Sequence, residues 1–225
     1  MILMKRSVFI AMTKEQMIHE IEAYVNHIVF VQDCLTAYKS LMNAINVDNE
    51  KINLSSGFFT IVKYALCKCM LTELSKIYIG SGKEKTLNRL INLVLSNLNL
   101  LSKKKKISYL EEPEMIEYVE YKKINIKKEI EKLKGELDEK QEVIERLKGI
   151  RDKVLAHNDP QYFNGEYNFY EDYPFGMKET EELLFFAEYL CNIFLDNLDN
   201  RVICFKSLNA DDLFKLLDKV TLEKR

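Results

Sequence analysis

The sequence predicts an all-α protein, folded as an elongated bundle of about six helices. Seven glycines and three prolines among 225 residues are few, which favours long helices over a turn-rich β fold. Apolar residues make up 47% of the chain, enough for a sizeable core. They recur at alternating steps of three and four, the spacing of one helix face. The length suits one all-helical domain, residues 13–225, after an N-terminal tail, residues 1–12.

The first helix is predicted to begin at a capping box formed by Thr13 and Gln16. Strict heptad steps then predict about 33 helical residues, roughly 50 Å in length. His19 and His27 lie off the apolar stripe, where a lone histidine is usually solvated or packed, so neither is predicted to be catalytic. The stripe consists of Met17, Ile21, Tyr24, Ile28, Val31, Leu35, Tyr38, Met42 and Ile45.

The stretch 58–79 is apolar on nearly every side, which predicts a helix at the centre of the bundle. Cys67 and Cys69 lie within it without the spacing of a zinc knuckle, so we interpret both as small core residues. Ser81 and Glu84 predict the cap of a third helix. Its predicted buried face is Leu87, Leu90, Ile91, Val94, Leu95 and Leu98.

A fourth helix of about 45 residues is predicted from Pro113, which suits a first turn, to His157. This exceeds what a compact domain needs, so we expect part of its apolar stripe to pack against a second copy in a homodimer. Gly149 is expected to permit a bend or a close helix contact. The stripe consists of Ile126, Ile130, Leu133, Leu137, Lys140, Ile144, Leu147, Arg151 and Val154.

The C-terminal part is predicted as an aromatic-rich loop, residues 158–178, a helix over 179–200, and a last helix within 207–225 capped by Asn209. The loop has two interpretations: a lid over the bundle, or a platform on which unpaired bases stack. Its acidic residues argue against the platform, since they would repel a phosphate backbone. They are Glu166, Glu171 and Asp172.

The formal net charge of −2 excludes a globally basic nucleic-acid binder, so any polyanion site must be a local patch. Lys103, Lys104, Lys105 and Lys106 form a basic run that reads either as a solvated loop or as a phosphate contact. Five cysteines without regular spacing indicate reduced thiols and a cytoplasmic protein. The sequence contains no metal-site or nucleotide-loop motif and no apolar run that spans a bilayer, so we expect no cofactor, no metal and no membrane contact.

The stretch from Arg151 to Asp159 is the strongest candidate for a functional site. Arg151 occupies an inward-facing position, where a permanent charge needs a partner, water or an anionic ligand. In a regular helix, Arg151 and His157 would point about 120° apart, with about 9 Å between them along the axis. Two copies related by a two-fold axis, or a helix end near Pro160, would bring such groups together.

The motif Arg-Asp-Lys-x-x-Ala-His-x-Asp, with five residues between Arg151 and His157, resembles that of the HEPN superfamily (higher eukaryote and prokaryote nucleotide-binding domains). It is similar to the AbiU-like branch, associated with bacterial abortive infection. Two preceding stretches, 71–78 and 86–91, support this and extend the resemblance over residues 13–200. Asp159 stands where some HEPN toxins carry a modified tyrosine, which argues against that form of control.

The resemblance implies a homodimeric, metal-independent endoribonuclease that acts on RNA in phage defence or as a toxin, with a cognate antitoxin as a further partner. Arg151, His157 and Asp152 would be catalytic: Arg151 grips the phosphate, His157 transfers a proton, and Asp152 orients one of them. Two alternatives stay open, a catalytically silent module that binds a nucleotide, RNA or protein, and a purely structural protein with Arg151 buried and paired. The RNA-binding candidates are Lys153, Asn158, Asp159 and the four lysines 103–106.

Overall fold

A computed structural model of the chain describes residues 12–80, 84–101, 126–156, 169–207, 209 and 211–220. The elements within these ranges are helical, and no strand occurs in them, which confirms the predicted all-α class. In chain order they are α1 (Lys14–Val47), α2 (Asn49–Asn53), α3 (Ser56–Tyr78), α4 (Leu87–Ser96), a 3-10 turn (Leu98–Leu100), α5 (Ile126–Glu139), α6 (Gln141–Ile150), a π-helical segment (Arg151–Ala156), α7 (Phe169–Asp172), α8 (Met177–Asp199) and α9 (Asp212–Leu217).

Helix α1 begins at the predicted capping box: Thr13 Oγ1 accepts from the Gln16 backbone N–H, and Gln16 Oε1 accepts from the Thr13 N–H. The helix packs against both α3 and α8, so it is the central helix of the bundle. The predicted stripe is buried from Met17 to Leu35, after which burial moves to Leu41 and Ala44. A straight helix drifts by about 20° per heptad, which explains this shift.

Helix α3 does not lie at the centre of the bundle along its whole length, so that prediction is wrong for its first half. Phe58, Ile61 and Tyr64 are exposed, and burial becomes continuous only from Met70. Only one face of the first half is covered, where Phe59 and Val62 of α3 pack on a small cluster at that end of the bundle. The cluster consists of Leu41, Ala44, Ile52 and Leu217.

The assignment of both cysteines of α3 to the core is also wrong for one of them. Cys67 is partly buried, whereas Cys69 is exposed. Both thiols are free, as are those of Cys34, Cys191 and Cys204.

Two helices, α4 and α9, begin a few residues later than predicted. Thr86 caps α4 by accepting the Arg89 N–H, and Ser81 lies outside the described residues. Asp211, rather than Asn209, occupies the cap position of α9, and its side chain makes no capping hydrogen bond. The α4 stripe itself is confirmed, since Leu87, Leu90, Ile91 and Val94 are buried.

The predicted fourth helix keeps its buried stripe but is interrupted at Lys140, where ψ is 2°. Lys140 donates to Glu182 of α8 at 2.6 Å, and its ammonium group lies 5.6 Å from the centroid of the Phe186 ring. Lys140, a charged residue on a mostly apolar stripe, thus stands at a break in the helix and contacts an acidic residue of α8. The buried stripe residues are Ile130, Leu133, Leu137, Ile144 and Leu147; residues 113–125 lie outside the described ranges.

Helix α8 provides the opposite wall of the core, with Leu183, Phe186, Leu190 and Phe194 buried as predicted. The Tyr78 hydroxyl at the end of α3 donates to the Leu183 carbonyl of α8. Burial raises the pKa of Tyr78 well above its ordinary value, so the phenol stays neutral and remains a donor. This bond fixes the second half of α3 against α8, next to the site described below.

Candidate functional site

Arg151 is the first residue of the π-helical segment that follows α6. Its guanidinium contacts one carboxylate oxygen, Asp152 Oδ1, through Nε at 2.7 Å and through Nη2 at 2.6 Å. The Arg151 side chain is 31% exposed, so it is not the fully buried arginine of the structural interpretation. Nη1 takes no part in this contact, and the described part of the chain gives it no other partner, so it can donate to a ligand.

The π-helical geometry begins where α6 is held closely by its neighbours. A Cβ atom at Gly149 would lie 2.0 Å from Cε1 of Tyr173, so only glycine allows this approach. Leu147 and Ile150 on either side are buried. π-helical turns are rare and frequently occur at functional sites. The expected close contact at Gly149 is therefore present two residues before Arg151.

Arg151 lines a cleft with a volume of about 830 Å³, which we call the Arg151 cleft. Helices α1 and α3 form two of its walls, the segment after α3 forms the floor at one end, and α6 with the π-helical segment closes the other side. Its lining residues are Ala23, Tyr24, His27, Thr72, Ser75, Lys76, Ile77, Ile79, Gly80, Glu84, Lys85, Lys148 and Arg151.

The charged side chains on the cleft wall are mostly cationic. Among the residues that the structure describes, Lys76, Lys85, Lys148 and Arg151 line it, together with one carboxylate, Glu84. Each of these cations also contacts an acidic residue that is not among the lining residues. The pairs are Lys76–Glu73 at 2.5 Å, Lys85–Glu20 at 2.9 Å, Lys148–Glu145 at 3.4 Å and Arg151–Asp152 at 2.6 Å. The cleft therefore presents donors to an anion, while the pairs behind them reduce its net field.

A histidine from α1 also reaches the cleft. Nδ1 of His27 lies 2.8 Å from Oε2 of Glu73, across the contact between α1 and α3. Oε1 of the same carboxylate accepts from Lys76. Burial raises the pKa of Glu73, but the hydrogen bonds from Lys76 and His27 outweigh burial and hold that pKa below its ordinary value. Glu73 is thus a carboxylate shared by a lysine and an imidazole.

The structure describes only some of the predicted site residues. It places Arg151 on the cleft wall, pairs it with Asp152, and leaves the Lys153 side chain exposed. The other predicted residues, His157, Asn158, Asp159 and the lysines 103–106, lie outside the described residues. Most of the aromatic segment, including residues 158–168, also lies outside them; of its later part, Phe175 is buried and Tyr173 packs on Gly149.

Sequence reasoning missed the contributions of α1 and α3 to the cleft. His27 lies off the apolar stripe and is 46 residues from Glu73, so no spacing rule connects them. A weaker signal was present in the stretch 71–78, which supported the resemblance: it supplies Thr72, Ser75, Lys76 and Ile77 of the wall.

Among the described residues, no three histidine, cysteine, aspartate or glutamate side chains are grouped as metal ligands would be. In the same residues, no helix is both long and apolar enough to cross a bilayer.

A family model described as AbiU2, of the HEPN type, matches residues 15–219, nearly the whole chain. The match includes α1, α3, the π-helical segment and hence every wall of the Arg151 cleft. Neither a search of curated proteins nor a search of solved structures gives a match.

Proposed function

Since the chain belongs to the AbiU2 family of HEPN proteins, we propose that it is a metal-independent endoribonuclease that acts as a homodimer in bacterial phage defence or as a toxin. One observation carries the proposal: Arg151 of the HEPN motif lines an open cleft of about 830 Å³ with Lys76, Lys85 and Lys148. Several donors around one cleft suit the phosphates of a ribonucleotide chain.

The proposed reaction is the attack of a ribose 2′-oxygen on the adjacent phosphorus. The P–O5′ bond breaks, a 2′,3′-cyclic phosphate forms, and the 5′-oxygen leaves with a proton. Arg151 stabilises the charge that grows on the phosphoryl oxygens, with Nη1 as the donor that Asp152 does not occupy. His157 transfers a proton near neutral pH, and Asp152 acts as a positioning residue for the guanidinium.

The homodimer is part of this proposal, because one chain contributes a single copy of the Arg151–His157 motif. Two chains related by a two-fold axis would present two arginines and two histidines to one RNA strand. A cytoplasmic location, where RNA is present and thiols stay reduced, fits the free cysteines of the described residues. A cognate antitoxin would restrain the enzyme by covering the cleft.

The proposal is tested by incubating the purified full-length protein with total cellular RNA and with a defined single-stranded RNA in EDTA. We expect cleavage, with 2′,3′-cyclic phosphate at the new ends and a mass of two chains by light scattering. Arg151→Ala and His157→Ala should each lower the rate by about 100-fold or more, since each removes a group that acts on the transition state.

Arg201→Ala is the matched control for Arg151→Ala. Arg201 is also an arginine in ion pairs, with Glu22 at 2.9 Å and Asp199 at 3.4 Å, but it does not line the cleft. This variant should cleave RNA at the wild-type rate. A wild-type dimer that leaves both RNAs intact, as His157→Ala does, would overturn the proposal.

A second candidate function is a HEPN module that binds RNA or a nucleotide without cleaving it. It is favoured by the ion pairs of the cleft: Asp152 already holds two nitrogens of Arg151, and Glu73 holds Lys76. Binding of RNA that depends on Arg151, with no cleavage product over hours, would support this function over the enzyme.

A further inference from the structure

His27, which lies outside the HEPN motif, has the position, exposure and hydrogen bonding of a residue that could act on a ligand in the cleft. It lies on α1, lines the Arg151 cleft, and its ring is 46% exposed. Its Nδ1 is held by Glu73 at 2.8 Å, while the described residues provide no hydrogen-bond partner for Nε2. The remaining described histidine, His19, is exposed on the same helix and does not line the cleft.

Glu73 fixes the orientation and the tautomer of the His27 imidazole ring. An ionised carboxylate only accepts hydrogen bonds, so the proton of a neutral His27 ring resides on Nδ1. The lone pair then lies on Nε2, the nitrogen without a protein partner. Lys76, which donates to the other oxygen of Glu73, holds the carboxylate in place.

We infer that His27, oriented by Glu73, is a second catalytic residue of the Arg151 cleft and takes the proton of the attacking ribose 2′-hydroxyl. This inference rests on the proposed function. It adds to each chain a proton acceptor, His27, that lies outside the HEPN motif. It also gives the contact between α1 and α3 a role in the chemistry, because that contact brings His27 to Glu73.

The step balances as follows in atoms and charge. The 2′-oxygen forms a bond to phosphorus as its proton moves to Nε2 of His27, and the P–O5′ bond breaks. The departing 5′-oxygen receives the proton that His157 transfers in the proposed reaction. His27 then gives its proton to solvent water and His157 takes one up, which restores the starting state of both rings. Arg151 Nη1 faces the phosphoryl oxygens throughout, so the cleft supplies a fixed positive charge and a proton acceptor together.

Several charged or titratable groups line the cleft together with His27 or, like Glu73, lie directly behind its wall. By element, they are Tyr24 of α1, Glu73 and Lys76 of α3, Glu84 and Lys85 before α4, Lys148 of α6, and Arg151 of the π-helical segment.

The test compares the wild type, His27→Ala and His19→Ala as full-length proteins. Cleavage of a defined RNA gives kcat, and the affinity for the same RNA with 2′-O-methyl groups, which lack the attacking hydroxyl, gives Kd. We expect His27→Ala to lose about 100-fold in kcat with Kd changed less than threefold, because a proton acceptor acts only in the reaction. Added imidazole should restore part of the rate, since the ring is exposed in an open cleft. His19→Ala should match the wild type in both measurements.

The outcomes separate this inference from the proposed function. If the wild type cleaves RNA and His27→Ala cleaves it equally well, the inference fails and the proposed function stands. If His27→Ala weakens Kd by the factor it takes from kcat/KM and imidazole restores nothing, His27 is only a phosphate contact and the inference also fails. If the wild type itself does not cleave, both fail. Matching thermal unfolding of the three proteins excludes loss of fold as the cause.

Discussion

The two halves of α3 differ in burial although both are rich in apolar residues. In the first half, Phe58 and Ile61 are 62% and 69% exposed; in the second, Leu74 and Ile77 are 0% and 1% exposed. The second half packs against α1, α6 and the π-helical segment, whereas one face of the first half packs against α1, α2 and α9. Apolar composition therefore predicts that a helix has a face that can be buried. Whether that face is buried depends on which other helices pack against it.

The residues of α3 that line the Arg151 cleft all lie in its buried second half. Thr72, Ser75 and Lys76, which line the Arg151 cleft, belong to the packed half. Ser75 is itself buried, and its hydroxyl donates to the Leu71 carbonyl one turn earlier. A cleft wall whose side chains stand on a close-packed helix keeps its geometry without a ligand, as a preorganised site requires.

The largest expected effect comes from Leu74→Ala in the packed half. Leu74 is fully buried in the main core cluster, so the change removes apolar contacts and leaves a cavity between α3 and its neighbours. We expect the free energy of unfolding to fall by about 2–5 kcal/mol. Urea denaturation followed by circular dichroism measures it.

Ile61→Ala is the matched change in the open half of the same helix. It also truncates an aliphatic side chain, but one that is mostly in solvent. We expect a change within about 0.5 kcal/mol, because alanine favours the helix and little packing is lost. Equal losses for Leu74→Ala and Ile61→Ala would contradict the comparison, since they would show that the first half is covered in solution.

An intermediate effect is expected at Gly149, on α6, which packs against the second half of α3. Gly149→Ala forces a Cβ to within 2.0 Å of Cε1 of Tyr173, so the ring or the helix must move. We expect a loss of about 1–3 kcal/mol in the free energy of unfolding. The same substitution in a Tyr173→Ala background should cost much less, because the ring that it meets is gone.

Gly135→Ala on α5 supplies the control for Gly149→Ala. Apart from its own helical turn, no atom of the described residues lies within 4 Å of a Cβ at this position, so the added methyl group meets no neighbouring side chain. It should stabilise the protein by about 0.5–1 kcal/mol through helix propensity alone. If both substitutions stabilised the protein, the close approach of Tyr173 to α6 would not exist in solution.

Much of the fold followed from the sequence because it depends on local patterns. The buried stripes reflect the spacing that one helix face imposes, and they occur in α1, α4, α8 and from Ile130 to Leu147. The capping box of Thr13 is likewise a pattern of neighbouring residues. The exposed half of α3 did not follow, because its surroundings come from distant parts of the chain. The contact of Lys140 with Glu182, 42 residues later, did not follow for the same reason.

The candidate site divides along the same line. Arg151 and Asp152 are neighbours in a motif, so resemblance identified them, and the structure adds that they pair with each other. His27 and Glu73 meet only because α1 packs on α3, and an isolated histidine on a helix carries no pattern that predicts such a contact. Long-range contacts of this kind are what the structure contributes beyond the sequence.

The last comparison sets a partly buried carboxylate of α8 against an exposed one and uses pH to separate them. Glu188 is half-buried, its Oε1 has no partner among the described residues, and burial raises its pKa to about 7. Between its ordinary pKa and pH 7, the folded state holds a proton that the unfolded chain has released, so stability falls as pH rises through this range. Glu188→Gln removes the ionisation, and for a half-buried group we expect a gain of about 1–2 kcal/mol at pH 8 and almost none at pH 4. Urea denaturation at both pH values measures it. The control is Glu181→Gln, an exposed change on the same helix that breaks the 2.8 Å ion pair with Lys39, and it should give no gain at either pH. If this variant gained as much at pH 8 as Glu188→Gln, net charge and not burial would account for the gain in stability.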